Sequence, residues 1–285
     1  MAENLVSPPP QTVPQPPRAA PQPPQTEPQW TGWHSLSLLV SMMLMVLAGV
    51  LLPTHARVWA WLITLILLAA GVAVAGQGIT GFWCGLLIDE RNKISLSRLQ
   101  MTLWTIVALS GFFTAALSNL AAGQPNPLAI AVPSELWLLM GISTTSLVAS
   151  PLIRSMKQNV APDEEEKSQT LAHLTQQMGL KTGEEAVSNR GQVVINQHPD
   201  YAQWADLFRG DETGNAAHLD LGKTQMLYFT LILVLAYAVA LGRAFAGSEV
   251  AVSAFPAIDP SMVALLGISH AGYLTHKAIP HSAAA

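Results

Sequence analysis

Six stretches of this chain, 36–52, 58–76, 99–120, 136–153, 224–241 and 262–278, are apolar over lengths close to the thickness of a membrane. A bilayer-crossing helix needs about 20 mostly apolar residues, and in hydrocarbon only helices and closed barrels satisfy their own backbone polar groups. Such runs predict an all-α fold, a polytopic transmembrane helical bundle of about six spans. Only 11% of the residues are charged, where a soluble domain carries roughly a quarter. Pro53-Thr54-His55-Ala56-Arg57 alone separates the first two runs, which predicts a transmembrane hairpin over 35–77. The apolar stretch 79–88 is too short to span and is expected to be interfacial or part of the core.

The other four runs form two pairs that repeat each other. Leu96-Ser97-Arg98-Leu99-Gln100-Met101, followed by Trp104-Thr105, returns as Leu221-Gly222-Lys223-Thr224-Gln225-Met226, followed by Phe229-Thr230. Leu139-Met140-Gly141-Ile142-Ser143 returns as Leu265-Leu266-Gly267-Ile268-Ser269, at nearly the same offset of about 125 residues, the mark of an internal repeat. Repeat unit 1 is assigned to 78–153 and unit 2 to 204–285. Each begins with an elbow, because Trp83 precedes Asp89-Glu90 as Trp204 precedes Asp211-Glu212. An indole at headgroup depth followed by acidic residues in water turns a chain along a membrane surface. Arg98 or Lys223 then snorkels as the helix enters the bilayer. Two-helix units keep one orientation, so the copies are expected to be related by an axis along the membrane normal.

Basic residues set the orientation. Arg91, Lys93, Arg98, Arg154, Lys157, Lys167, Lys181, Arg190, Arg209, Lys223 and Lys277 fall on one side with Arg18, and only Arg57 and Arg243 on the other. Both termini and the 154–222 connection are therefore expected in the cytoplasm. Residues 1–34 read as a disordered proline-rich tail, whose Pro14-Gln15-Pro16-Pro17 and Pro21-Gln22-Pro23-Pro24 favour extended polyproline II. A spacer role and a docking role for a cytoplasmic protein both suit that composition. The loop over 154–203 is expected to form a small ordered cap. It has a helix over 163–178 with acidic residues in its first turn and Gly179 as its stop, and a short strand at Gln192-Val193-Val194-Ile195.

Gly222-Lys223-Thr224 imitates the end of a phosphate loop, but Ala217 stands where that loop needs glycine. The triplet is better explained as a helix entrance. Asp89-Glu90-Arg91-Asn92 and Asp211-Glu212-Thr213-Gly214-Asn215 could offer oxygens to a divalent cation, yet acidic turns at a membrane surface are usually solvated, and no metal or other cofactor is expected. Gln100 and Gln225, with Arg98 and Lys223, mark a shared helix-entrance register, since an amide in the first turn of an apolar helix must find a partner. Gly141, Thr145 and Ala149 recur as Gly267, Ala271 and Thr275, small-residue stripes that let helices approach closely, either each other or a neighbouring subunit. His270 lies near the middle of its run, where an ionisable side chain points to function. With Ser269, Thr144 and Ser143 it is the candidate pathway or ligand group. Catalytic motifs such as Gly-x-Ser-x-Gly or His-Glu-x-x-His do not occur, so no enzyme is expected. A net charge of −4 gives no field for nucleic acid, and the single Cys84 excludes an intrachain disulfide.

The string Ile94-Ser95-Leu96-Ser97-Arg98-Leu99-Gln100-Met101-Thr102-Leu103-Trp104-Thr105, with Gly267-Ile268-Ser269-His270-Ala271-Gly272-Tyr273-Leu274, resembles a group of functionally uncharacterised bacterial multi-pass membrane proteins. The resemblance covers 83–280. It implies a bacterial inner membrane and carries over no catalytic residue. The expected function is a non-enzymatic oligomeric pore or channel-like protein, with a triggered membrane effector as a variant of that reading, lipid and further copies of itself as partners and the cytoplasmic loop as a regulatory cap. The alternative is a membrane anchor or scaffold that recruits a cytoplasmic partner through the tail and the 154–222 loop.

Overall fold

A computed structural model of the protein describes residues 30–179, 186–247 and 251–281. The proline-rich motifs, Arg18 and Lys181 lie outside the described residues. The long helices are α1 (Gly32–Leu51), α2 (Arg57–Thr80), α3 (Leu96–Ala121), α4 (Ser134–Lys157), α6 (Leu221–Ala246) and α7 (Pro260–Ala278). Between α4 and α6 lie α5 (Glu164–Gln177) and a hairpin of β1 (Val187–Arg190) and β2 (Val193–Asn196). Local chemistry sets several ends. Asp220 and Asp259 cap α6 and α7 through Lys223 N–H and Ser261 N–H, and Pro260 occupies the first turn of α7. Gly81 closes α2 at φ 80°, a left-handed turn that favours glycine. The stretch 79–88 is the end of α2 followed by a single 3-10 turn, Gly85–Leu87.

Among the described residues, five helices are long and apolar enough to cross a membrane: α1, α2, α3, α4 and α6. The sixth expected span, α7, has only 19 residues, and Ser269, His270, Tyr273, His276 and Lys277 dilute its apolar content. Its polar side is largely turned inward, with Ser269, His270, Tyr273 and Lys277 all buried.

The outer surface carries exposed Leu39, Met42, Trp59, Ile66, Leu235, Val239 and Ile268, an apolar coat far beyond what water tolerates on a monomer. Helix α3 is central, packing on α1, α2, α4 and α6, while α7 packs on α4 and α6. The main core joins Trp61, Trp104, Leu136, Leu139, Tyr237, Leu241, Phe245 and Leu266. At one end the α3–α4 and α6–α7 connections are tied together. Ala131 N–H donates to the Ser253 carbonyl at 2.8 Å, Phe255 N–H to the Ala131 carbonyl at 2.9 Å, and Asn119 brackets Val252 at 2.8 and 2.9 Å.

At the other end sits the cap. Asp163 caps α5 by accepting from Glu165 N–H and Glu166 N–H, and Gly179 follows at φ 71°, as the sequence pattern leads one to expect. Leu174, Val187, Val194 and Ala216 form a small core of its own. The hairpin docks on the bundle through Gln192 N–H to the Lys157 carbonyl at 3.1 Å and Asn196 N–H to the Arg91 carbonyl at 2.9 Å. Its turn residue Gly191 has φ 53°, and a Cβ there would lie 2.4 Å from the Gln158 carbonyl oxygen. Gly191→Val should therefore cost roughly 1–3 kcal/mol in backbone strain alone and lift the hairpin off α4. Limited proteolysis is expected to cut 186–203 faster in the variant while sparing α1 to α4.

Candidate functional site: a buried charge layer above a polar row

Where the cap meets the bundle, charges are buried rather than solvated. Asp89 and Arg91 come from the turn before α3, Arg154 and Lys157 from the last turn of α4, and Asp211 and Glu212 from the turn before α6. Lys223 comes from the first turn of α6 and Lys277 from the last turn of α7; none of these eight is more than 6% exposed. Asp211 is the hub. Its Oδ1 accepts from Arg91 Nη1 at 2.8 Å and Lys223 Nζ at 2.6 Å, and its Oδ2 from Lys277 Nζ. Arg91 turns its other edge to Asp89 Oδ2, with Nε at 3.1 Å and Nη2 at 2.8 Å. Arg154 joins Asp89 at 3.4 Å and Glu90 at 2.5 Å. Lys157 Nζ donates to Glu212 Oε1 at 2.6 Å and to the carbonyls of Lys277 and Ile279 at 2.6 and 2.7 Å.

The sequence reading placed Asp89-Glu90 and Asp211-Glu212 in water and had Lys223 snorkel. The structure corrects both: of these carboxylates only Glu90 is exposed, and Lys223 is buried against Asp211. The reason is mutual compensation. Arg91, Lys93, Arg98, Arg154, Lys157, Lys223 and Lys277 share this layer with Asp89, Glu90, Asp206, Asp211 and Glu212, so the layer carries two more cations than carboxylates. Burial by itself would raise the Asp211 carboxyl, but Arg91, Lys223 and Lys277 reverse this and hold it well below the usual carboxylate range. Asp89 follows the same logic: burial raises it, and Arg91 and Arg154 bring it below its ordinary value. A useful signal was present in the chain, since the acids of both elbows fall on the same side as almost all the cations; the orientation argument counted only the latter.

Lys93 is a strained member of the layer. Burial pushes it down to about 8, and Asp206, 3.8 Å away, offsets this only in part against Arg91 and Lys223. Below pH 8 both folded and unfolded chains carry the proton and its burial is a cost. Between about 8 and the ordinary 10.5 the folded chain has lost a proton that the unfolded chain keeps, so stability rises with pH across that window. The rise is expected to reach roughly 3 kcal/mol. Lys93→Met should shrink the gain between pH 8 and 10.5, read by thermal unfolding in detergent.

Beneath the charge layer a row of polar side chains descends between α3, α4, α6 and α7. Lys277 Nζ donates to Tyr273 Oη at 2.8 Å, and Ser150 Oγ accepts from Arg154 Nη1 at 3.3 Å. Ser146 Oγ lies 2.5 Å from His270 Nδ1. On the other edge of that ring, Gln100 Nε2 lies 3.4 Å from His270 Nε2 and donates to Thr230 Oγ1 at 2.7 Å. Gln100 Oε1, Ser143 Oγ, Ser269 Oγ, Trp104 Nε1 and Tyr237 Oη are buried along these helices with no hydrogen-bond partner among the described residues. An unpaired buried polar atom costs about 1–3 kcal/mol, so a cluster of them inside an apolar bundle calls for a reason.

The structure thus brings Gln100, Ser143, Ser269 and His270 into one interior, and adds Ser146, Ser150, Tyr273 and Thr230, which the sequence reading did not single out as a group. Thr144 is elsewhere. It is exposed on the outer face of α4, donating to the Met140 carbonyl at 2.8 Å. Gln225 is exposed too, and lines a cavity of about 610 Å³ with Gly222, Ser269, Tyr273 and His276. Arg98 is half-buried and donates to the Ile88 carbonyl at 2.8 Å. The small-residue stripes face outward: Gly141, Thr145, Ala271 and Thr275 are exposed, Ala149 and Gly267 partly buried, and a Cβ on Gly141 would meet nothing within 4 Å. Helices α4 and α7 meet instead through the serine side of α4, Ser143, Ser146 and Ser150, whose side chains are equally small and supply hydrogen bonds.

Five helices long and apolar enough to cross a membrane, with a buried polar row between three of them (α3, α4 and α6) and α7, define a multi-pass helical protein of the membrane type. Compared with models of protein families, with characterised proteins and with solved structures, the chain matches none.

Proposed function

We propose that the protein is a non-enzymatic, channel-like protein of a bacterial cytoplasmic membrane. Its route is the polar row between α3, α4, α6 and α7, with the charge layer and cap closing the cytoplasmic end. The observation that carries this reading is the interior position of His270, bonded on both ring edges by Ser146 and Gln100 and flanked by orphaned hydroxyls of Ser143 and Ser269. Ionisable groups inside a membrane mark ion pathways and proton relays by default, and orphaned hydroxyls are sites where water can bridge. Scarcity of other charge along the row favours protons or water over large ions.

Two architectural readings support it. The four inner helices belong to two copies of one unit: each of α3 and α6 is preceded by an exposed tryptophan, a short 3-10 turn and an antiparallel bridge, Ile88 with Ile94 and Arg209 with Leu219. With α7 as a sixth span held by its neighbours, both termini and the cap lie in the cytoplasm, where the positive-inside rule puts them. The outward small-residue stripes of α4 and α7 are then available for contact with another subunit.

Proton flux through the purified protein in liposomes tests the proposal. His270→Ala and Ser269→Leu are each expected to cut wild-type flux about tenfold or more, since each breaks the continuity of hydrogen-bonding groups. Absence of flux from the wild type, with capture of a cytoplasmic protein by the tail or cap, would replace the channel by the scaffold.

A further inference from the structure

Helices α2 and α4 both pack on α3 but make no substantial contact with each other. The gap between them, over the first turns of α3, is a cavity of about 500 Å³, within the size range of small-molecule sites. Its two ends differ in chemistry. Val72, Met101, Ile106 and Leu147 make an apolar wall, whereas Ser97, Ser150, Arg98 and Arg154 face it at the end that adjoins the charge layer. That end is level with the first turn of α3.

Two guanidinium groups there have capacity to spare. Arg154 is only 4% exposed, and its Nε is buried with no hydrogen-bond partner. Arg98 donates to the carbonyls of Leu86 and Ile88 and makes no ion pair among the described residues. The Asp89 carboxylate is already occupied by Arg91 and Arg154. Glu90, with its side chain 52% exposed, holds Arg154 through Oε1. Arg98 and Arg154 line the cavity together with Asp89 and Glu90, and arginine forks suit phosphate oxygens.

We propose that this cavity binds one anionic phospholipid with a hydroxylated headgroup, of the phosphatidylglycerol type. The phosphodiester lies between Arg98 and Arg154, the glycerol hydroxyls donate to Glu90, and an acyl chain runs along Met101, Ile106 and Leu147. Basic pockets between membrane helices on the cytoplasmic side are a recurring form of headgroup recognition. The bound lipid would tie α2 to α4 across α3 and place its charge next to Asp89 and Arg91. The inference rests on the membrane placement of the five apolar helices and not on conduction.

The test is native mass spectrometry of the full chain in detergent, with phosphatidylglycerol, phosphatidylethanolamine or soluble glycerol phosphate added. One phosphatidylglycerol should be retained in clear preference to phosphatidylethanolamine. Arg98→Gln should weaken retention about tenfold, the value of one charge-assisted contact. Leu147→Trp, which fills the apolar wall without touching a charge, should do the same while its thermal unfolding stays close to wild type. Equal retention of the two lipids, unchanged retention in both variants, or binding of glycerol phosphate as tight as that of the lipid would overturn the assignment. No lipid retention combined with normal proton flux would overturn it while leaving the channel reading intact.

Discussion

Asp211→Ala should cost about 3–5 kcal/mol, the usual effect of removing one partner from a buried ion network. Arg91, Lys223 and Lys277 all converge on this carboxylate. Without it three cations face one another at the end of the bundle with no solvent to separate them. The loss should appear as a large fall in the melting temperature of the detergent-purified protein, or as failure to accumulate. Glu90→Ala is the matched control: its side chain is half exposed, and exposed pairs contribute at most about 1 kcal/mol. The pH dependence has a definite sign. A carboxyl held well below its ordinary value of 3.8 stabilises the fold above that value and loses the contribution as pH falls through and beneath it. Stability from Asp211 should therefore be flat between pH 7 and 5 and decline below about pH 4, a decline that Asp211→Asn would remove. Equal stability of Asp211→Ala and wild type at pH 7 would mean that the cations are solvated after all.

Lys157→Met should uncouple the cap from α7. One ammonium donates to the buried Glu212 and to the carbonyls of Lys277 and Ile279 at the C-terminal end of α7, and Glu212 in turn accepts from His281 N–H at 2.9 Å. Methionine fills similar volume but removes the buried counter-charge of Glu212 and the donor shared by its Oε1 and the two carbonyls, at a cost of several kcal/mol by the same reasoning, about 3–5. The damage is local, because the apolar core of α2, α3 and α6 is untouched. Hydrogen exchange should accelerate at 187–219 and 277–281 and remain slow in α3 and α6. If the cap closes the polar row, the same variant should conduct more than wild type. Uniform acceleration of exchange across the bundle would show that the cap is not a separate unit.

The helices were legible in the sequence because burial in lipid leaves a strong signal: the predicted run 99–120 became Leu96–Ala121 and 136–153 became Ser134–Lys157. The helix of the cap was legible from Asp163 and Gly179, which are local capping chemistry. The charge layer was not. A single acidic turn at a membrane surface looks solvated, and what buries Asp211 are cations 120, 12 and 66 positions away in the chain. His270 was singled out by its depth in an apolar run, but its partners Ser146 and Gln100 lie on two other helices. Thr144 shows the limit of the repeat argument. The sequence pattern aligns it with His270, yet helical phase turns it to the outer face of α4 while its neighbour Ser143 points inward.

That pair of adjacent residues offers the most direct test of the polar interior. Single cysteines are placed at Ser143 or Thr144 in a Cys84→Ser background, and the membrane-embedded protein is exposed to a small water-soluble thiol reagent, which needs a hydrated thiolate to react. The expected result is modification of Ser143→Cys, with loss of proton flux, while Thr144→Cys stays unreactive in lipid. An inert Ser143→Cys, or reaction confined to Thr144→Cys, would contradict a hydrated route between these helices and leave a solid bundle that serves as an anchor.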